Sequence, residues 1–200
     1  MKEATSEGAR PWQDIVVVDD LLPLEEQRNL HTFLSSGNWS HGWRSHDGDA
    51  VQGFWHRHFA GSLDAAEASA SPDVEAELAR NAPPADALWQ RLKRSSLAGH
   101  ALERCYANGL PYGCDGATHT DSLERGACTA VYYPHAQWDP DWGGETLIFN
   151  KDKSDILAAI YPKPNRLLIF PGFVFHVARG VSRTCPAMRI TLMFKTRLVL

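Results

Sequence analysis

The spacing of hydrophobic residues changes near residue 101. Before it, apolar positions recur at helical spacing in two segments, one from about Leu24 to Gly37 and one from Pro83 to about Leu97. Both segments have proline near their start, which is typical of helix beginnings. The β-branched run 15–18 precedes the first segment. The pattern therefore predicts a strand and then two helices in the first half of the chain.

After residue 101, short β-prone runs alternate with glycine, proline, asparagine and aspartate. They predict strands at 102–107, 117–121, 127–133, 145–149, 155–161, 166–170, 173–178 and 187–197. Many short strands without intervening helices indicate an antiparallel sandwich or jelly roll rather than a parallel sheet. The predicted class is mainly β with N-terminal helices.

A length of 200 residues with 44% hydrophobic content is enough for one compact domain. We expect a disordered tail at 1–11, a helical and aromatic elaboration at 12–100 packed on the barrel, and a β core at 101–200. Within the elaboration, the alanine- and glutamate-rich segment 63–82 predicts a mobile surface helix or loop.

Charge and composition argue against several classes of partner. A net charge of −4 gives no overall attraction to nucleic acid or anionic membranes. The polar N-terminus does not resemble a secretory signal, and no apolar run reaches membrane-spanning length. These features predict a cytoplasmic protein without nucleic-acid or membrane partners.

Four cysteines have no CxxC spacing. A chain of this size does not need disulfide bonds for stability, so we expect free thiols rather than disulfides or structural zinc.

Three residues in two distant segments form a candidate metal site. His119 and Asp121 are two positions apart in a predicted strand, so both side chains point to the same face. His176 lies in a second predicted strand. Two imidazoles and one carboxylate on one face of an octahedron suit iron(II) and leave three positions open. The alternative is chance, because an HxD pair is common and the chain has nine histidines.

The last predicted strand places a cation and a hydroxyl, Arg189 and Thr191, on one face of an otherwise apolar run. A buried arginine needs an anionic partner, and its guanidinium fits a carboxylate through two hydrogen bonds. The distal carboxylate of 2-oxoglutarate would suit it. A structural salt bridge to aspartate or glutamate is the alternative.

The ordered series of motifs over residues 101–197 resembles the prolyl-hydroxylase-like branch of the 2-oxoglutarate/Fe(II)-dependent dioxygenases. The resemblance rests on CYANG at 105–109, HTD at 119–121, VYY at 131–133, WD at 138–139, WGGETL at 142–147, RLLIF at 166–170, His176 and RIT at 189–191. The series is more specific than any one of its parts.

The resemblance implies a double-stranded β-helix, or cupin-like jelly roll, with Fe(II), 2-oxoglutarate and O2 at one site and ascorbate as an optional reductant. The catalytic metal ligands would be His119, Asp121 and His176. 2-Oxoglutarate would lie against Arg189 and Thr191, with a phenolic hydrogen bond from Tyr106 or Tyr133.

Two departures from the family pattern leave alternatives open. The gap from His176 to Arg189 is longer than usual, which makes Arg183 a rival anchor, although its surroundings resemble a loop. An insertion before His119 makes Tyr112 another candidate for the site.

The implied function is oxidation of a C–H bond, with release of succinate and CO2. A small metabolite or natural-product intermediate is the preferred substrate, because no peptide-docking module is visible. Peptidyl-prolyl hydroxylation of a protein is the first alternative, and a non-catalytic cupin-like binding module is the second. The family's halogenases lack the carboxylate, so Asp121 argues against halogenation. Nothing in the sequence predicts the oligomeric state.

The aromatic and histidine-rich segment 38–62 is the candidate substrate pocket or lid, or else an ordinary flap over the core. Within it, His56 and His58 form a rival metal pair that lacks a nearby carboxylate. Trp138 and Trp142, in a predicted loop at the barrel mouth, either contact substrate or pack.

Overall fold

Two antiparallel β-sheets form the body of the protein. The computed structural model describes residues 14–45, 53–64 and 72–199. The strands of these residues are β1 (Val16–Val18), β2 (Ser40–Trp43), β3 (Phe54–Gly61), β4 (His100–Leu110), β5 (Ala127–Tyr133), β6 (Thr146–Phe149), β7 (Ile156–Ile160), β8 (Arg166–Pro171), β9 (His176–Ala178) and β10 (Arg189–Leu198). The larger sheet has the order β1-β8-β5-β10-β4-β3-β2, and the smaller sheet has the order β7-β6-β9. The predicted mainly β, jelly-roll class is confirmed.

The helices cover one face of the larger sheet. They are α1 (Leu24–Ser35), α2 (Pro72–Asn81) and α3 (Pro83–Lys93). Prolines occupy the first turn of α3, where no backbone donor is lost. The apolar sides of α1 and α3 meet the sheet in one core cluster, which includes Leu30, Leu34, Trp89, Leu192 and Phe194.

Strand β10 has one apolar and one polar face. Ile190, Leu192 and Phe194 belong to the core beneath the helices. The residues that alternate with them, Arg189, Thr191, Met193 and Lys195, line a cavity on the opposite face of the sheet. Because side chains alternate along a strand, this single element contributes to both the core and a polar interior.

Several predicted boundaries differ from the structure. Residues 117–121 do not form a strand, although His119 makes an isolated bridge to His176. The predicted strand 173–178 begins only at His176, because a backbone hydrogen bond from Val174 to Pro171 closes a turn first. Within 38–62, β2 and β3 extend the large sheet as its outer strands. The predicted tail at 1–11, together with 46–52 and 65–71 in the other segments, lies outside the described residues.

Within the described residues, no helix combines the length and the apolar character needed to cross a membrane. All four cysteines are free, as the sequence predicts.

Candidate metal centre

Backbone hydrogen bonds bring the distant histidines together. The amide of His119 donates to the carbonyl of His176 at 3.1 Å, and the amide of His176 donates in return at 3.0 Å. Two residues on, the amide of Asp121 donates to the carbonyl of Gly172 at 2.8 Å. The segment 119–121 is thus held against the turn between β8 and β9 and the start of β9.

The side chains of these three residues converge. The Nε2 atom of His119 lies 3.4 Å from Oδ1 of Asp121, and Nε2 of His176 lies 3.5 Å from Oδ2. One ligand atom from each residue falls within 4.8 Å of the others. Among the described residues, this is the one group of three or more histidine, cysteine or acidic side chains close enough to share an ion.

The imidazoles present the correct nitrogen. Nδ1 of His119 lies 2.8 Å from the carbonyl of Ala117, and Nδ1 of His176 lies 2.9 Å from the carbonyl of Val174. A carbonyl accepts only, so each Nδ1 carries the proton and each Nε2 keeps its lone pair. Carbonyl partners of this kind orient the histidines of metal sites. The donor set therefore fits a divalent transition metal.

Charge around Asp121 keeps the carboxylate ionised. Burial raises its pKa, but its charged and hydrogen-bonding neighbours, Lys195 foremost, more than offset burial, so the pKa lies well below its usual range. Lys195 forms an ion pair with Oδ2, and the hydroxyl of Thr129 donates to the same oxygen at 2.5 Å. Burial lowers the pKa of His176 to about 4, which leaves a neutral imidazole near pH 7.

Lys195 and Thr129 do not appear among the sequence-based candidates. For Lys195 a signal existed, because it continues the two-residue alternation that starts with Arg189 and Thr191. For Thr129 the sequence carries no comparable signal, since threonine is common in strands.

A cavity of about 660 Å³ opens onto the three candidate ligands. Its wall includes Trp43 and Phe54 from β2 and β3, together with Arg44 and Ser45. Part of segment 38–62 thus lines this cavity.

Arg189 and Thr191 lie at one end of this cavity and are almost fully buried. Nε of Arg189 donates to the carbonyl of Gly144 at 2.5 Å, and Nη2 donates to Oγ1 of Thr146 at 2.9 Å. Burial lowers the pKa of this arginine. The rival Arg183 is exposed in the turn before β10 and does not line the cavity. Thr146 was missed in the sequence, although it lies within the WGGETL motif.

The tyrosines occupy different positions. Tyr106 lines the cavity, whereas Tyr133 is fully buried and donates its hydroxyl to Thr146 at 2.8 Å. Thr146 therefore accepts from both Tyr133 and Arg189. Tyr112 is 65% exposed and does not line the cavity.

The remaining candidates have structural partners. His56 stacks on Trp43 at 3.9 Å and shares a hydrogen bond with Asn108, and Nε2 of His58 lies 2.7 Å from the carbonyl of Gly61. Neither belongs to the metal-type cluster found in the described residues.

Trp138 and Trp142 pack edge to face against each other and do not line the cavity. Trp138 also donates its indole N–H to the carbonyl of Gly143 at 2.9 Å. Of the two roles considered for these tryptophans, the structure favours packing.

Residues 105–195 match the family model described as the 2OG-Fe(II) oxygenase superfamily. A comparison with curated proteins found no matching sequence.

Similar solved structures include a prolyl-4-hydroxylase from Pseudomonas putida, with a TM-score of 0.61 and 18% identity over 94% of both chains. A 2OG-Fe(II) oxygenase family oxidoreductase from Burkholderia pseudomallei has a TM-score of 0.69 and 14% identity, over 94% of this chain and 86% of that one. A Trichoplax adhaerens prolyl hydroxylase, solved in complex with a peptide fragment of the hypoxia inducible factor oxygen degradation domain, has a TM-score of 0.60 and 17% identity. That match covers 92% of this chain and 84% of the other. At these identities the likeness concerns the fold.

Proposed function

We propose that the chain is a member of the 2OG-Fe(II) oxygenase superfamily, whose family model matches residues 105–195, and that it hydroxylates, or otherwise oxidises, a C–H bond of a small organic molecule. The observation that carries the proposal is the convergence of His119, Asp121 and His176 at the cavity. Succinate and CO2 would be the products formed from 2-oxoglutarate.

His119, Asp121 and His176 would hold the ferrous ion through two Nε2 atoms and one carboxylate oxygen. Such a facial set leaves three positions open. Bound iron would supply the activation of O2 that 2-oxoglutarate drives. The protein's own contribution is to fix the donors, which the carbonyls of Ala117 and Val174 do by holding each imidazole through Nδ1.

Arg189 would bind the distal carboxylate of 2-oxoglutarate, with Thr191 as a further donor. The arginine is 1% exposed, and its hydrogen bonds to Gly144 and Thr146 go to uncharged oxygens. Within the described ranges it forms no ion pair with a carboxylate at 4.0 Å or less. A buried cation without a paired anion is costly, so a carboxylate ligand would stabilise the site. Thr146 and Tyr133 would hold the guanidinium in place, and Tyr106, which lines the cavity, would contact 2-oxoglutarate.

A small substrate is supported by the size of the cavity, since about 660 Å³ is typical of small-molecule sites. Peptidyl-prolyl hydroxylation remains the second candidate. It is favoured by the similarity to two prolyl hydroxylases, one of them solved with a peptide.

Anaerobic addition of Fe(II) and 2-oxoglutarate tests the proposal. We expect a weak visible charge-transfer band that His176→Ala and Arg189→Leu abolish. Arg183→Leu is the matched control, because Arg183 is exposed and outside the cavity, and it should keep the band. Absence of the band in the unaltered protein would refute the oxygenase function. Loss of the band in Arg183→Leu, with the band retained in Arg189→Leu, would instead show that Arg183 binds the distal carboxylate of 2-oxoglutarate.

A further inference from the structure

A second buried arginine lines the same cavity. Arg104 lies on β4 and is 9% exposed. It shares the cavity face of its strand with Tyr106 and Asn108, which follow at two-residue spacing. Neither the metal centre nor the Arg189 site uses it.

Within the described residues, the guanidinium of Arg104 has few contacts that could stabilise its charge. Its carbon Cζ lies 4.9 Å from the ring centroid of Tyr106, and Nη1 makes one long hydrogen bond of 3.4 Å to the carbonyl of Leu63. Nε is buried and has no hydrogen-bond partner among the described residues. No ion pair of Arg104 occurs in that part of the chain either. A desolvated cation with so few partners is costly unless a ligand supplies an anion.

Arg104 and Arg189 lie on the paired strands β4 and β10, at backbone positions far apart along the strands. In the pairing of β4 with β10, Lys195 is opposite Arg104, whereas Arg189 is opposite Leu110. Six residues at roughly 3.4 Å each separate the backbone positions of Arg189 and Lys195 by about 20 Å, although the side chains of both line the same cavity. The carbon chain of 2-oxoglutarate spans about 6 Å, from four C–C bonds of roughly 1.5 Å. A 2-oxoglutarate molecule that binds both Arg189 and the metal would therefore leave Arg104 to a different ligand.

Side chains of the metal centre also lie near the side chain of Arg104. Nζ of Lys195, which pairs with Asp121, lies 5.9 Å from the ring centroid of Tyr106. Because the guanidinium carbon of Arg104 lies 4.9 Å from the same centroid, the two cations are within about 11 Å of each other. Asp121 compensates Lys195, so Arg104 is the cation of this pair that an incoming anion would meet.

We propose that Arg104 binds an acidic group of the substrate, and that the substrate is a small organic acid whose carboxylate meets Arg104 while its oxidised carbon lies at the metal centre. This inference rests on the proposed function and narrows its substrate class. A planar guanidinium suits a carboxylate through paired, charge-assisted hydrogen bonds. The corresponding carboxamide keeps the shape of the acid but lacks the charge.

The test compares acids with their carboxamides. The probes are free L-amino acids, N-acetyl-L-amino acids and simple aliphatic and aromatic monocarboxylic acids, each paired with its carboxamide, plus one capped proline-containing peptide without a carboxylate. The readout is succinate release above the substrate-free rate, with Fe(II), 2-oxoglutarate and ascorbate present. We expect at least one acid to be turned over with a kcat/KM about tenfold to a hundredfold above that of its carboxamide.

Variants of Arg104 test whether this residue causes the preference for acids over carboxamides. Arg104→Gln should bring the acid-to-carboxamide ratio of kcat/KM close to one, mainly through a higher KM for the acid, and Arg104→Lys should retain part of the ratio. The matched control is Arg91→Gln, an exposed arginine on α3 that pairs with Glu26, which should keep the full ratio. A ratio is informative here because a general loss of folded protein lowers both rates together.

Four results overturn the inference: carboxamides turned over as well as acids, an unchanged ratio in Arg104→Gln, no turnover of any acid in the panel, or turnover of the capped peptide alone. If Arg104→Gln does not fold by circular dichroism, the ratios of the unaltered protein and of Arg104→Lys decide. The charge-transfer band distinguishes failure of this inference from failure of the proposed function. A band without acid discrimination overturns this inference alone, whereas no band overturns the proposed function as well.

Discussion

Replacing Lys195 with methionine should destabilise the metal-free protein by about 3 kcal/mol. Breaking a buried ion pair by removing one partner costs roughly 3–5 kcal/mol, because the remaining charge is buried without compensation. The side chains of Lys195 and Asp121 are each only 10% exposed, so water screens the pair weakly. The lower end of the range applies because Thr129 still donates to the carboxylate. In a protein of 200 residues this loss lowers Tm by about 6–12 °C.

Urea denaturation in the presence of EDTA measures this loss. The matched control is Lys163→Met, which removes a surface ion pair to Asp19 with side chains 40% and 35% exposed, and which should cost no more than about 1 kcal/mol. The double variant Lys195→Met/Asp121→Asn should lose less than the sum of the single variants, because neither charge then remains unpaired. A loss in Lys195→Met no larger than that of the surface control would refute the reasoning.

Adding a metal ion provides a second test of the Lys195→Met variant. A divalent ion restores a counter-charge to Asp121, so anaerobic Fe(II) should stabilise Lys195→Met more than the unaltered protein. Equal stabilisation of both proteins would mean that Lys195 does not set the charge of the site.

Two further predictions concern buried polar groups. Thr146→Val should lower the free energy of unfolding by about 2 kcal/mol or more and raise the KM for 2-oxoglutarate, because Tyr133 and Arg189 both lose their acceptor. Thr146→Ser keeps the hydroxyl and should behave like the unaltered protein, and an unchanged KM in the valine variant would contradict the proposed role. Burial lowers the pKa of His135 to about 3, so between pH 6.5 and 5 the unfolded chain takes up a proton that the folded protein excludes. The free energy of unfolding should therefore fall by about 2 kcal/mol for this group from pH 7 to pH 5. His135→Gln should show a smaller fall in urea denaturation at the two pH values, and an equal fall would show that His135 is not responsible.

The sequence predicts the candidate site better than it predicts the strands around it. His119 and Asp121 share a face only because they are two residues apart in extended backbone, and that spacing is visible in the sequence. Arg189 could be preferred over Arg183 because apolar neighbours indicate a buried strand, whereas serine, threonine and proline indicate a loop. The structure buries the first arginine and exposes the second.

Strands β2 and β3 were not predicted, since glycine, histidine and tryptophan in segment 38–62 give no clear alternation of polar and apolar residues. Their pairing comes from tertiary context, because β3 extends the sheet along the edge of β4. The residues that form hydrogen bonds and ion pairs with the site could not be predicted, for a related reason. The acceptor role of Thr146 and the pairing of Lys195 with Asp121 depend on contacts between residues 43 and 74 positions apart, which no local pattern reports.

The reciprocal amide hydrogen bonds between His119 and His176 have a consequence for iron exchange. These bonds set the spacing of the two imidazoles through the main chain, without using the ring nitrogens that would bind an ion. Little ordering entropy then remains to be lost when iron is captured. Loss of the ion should leave an intact barrel that can be reloaded with fresh ferrous iron, so inactivation by chelation should be reversible without a refolding step.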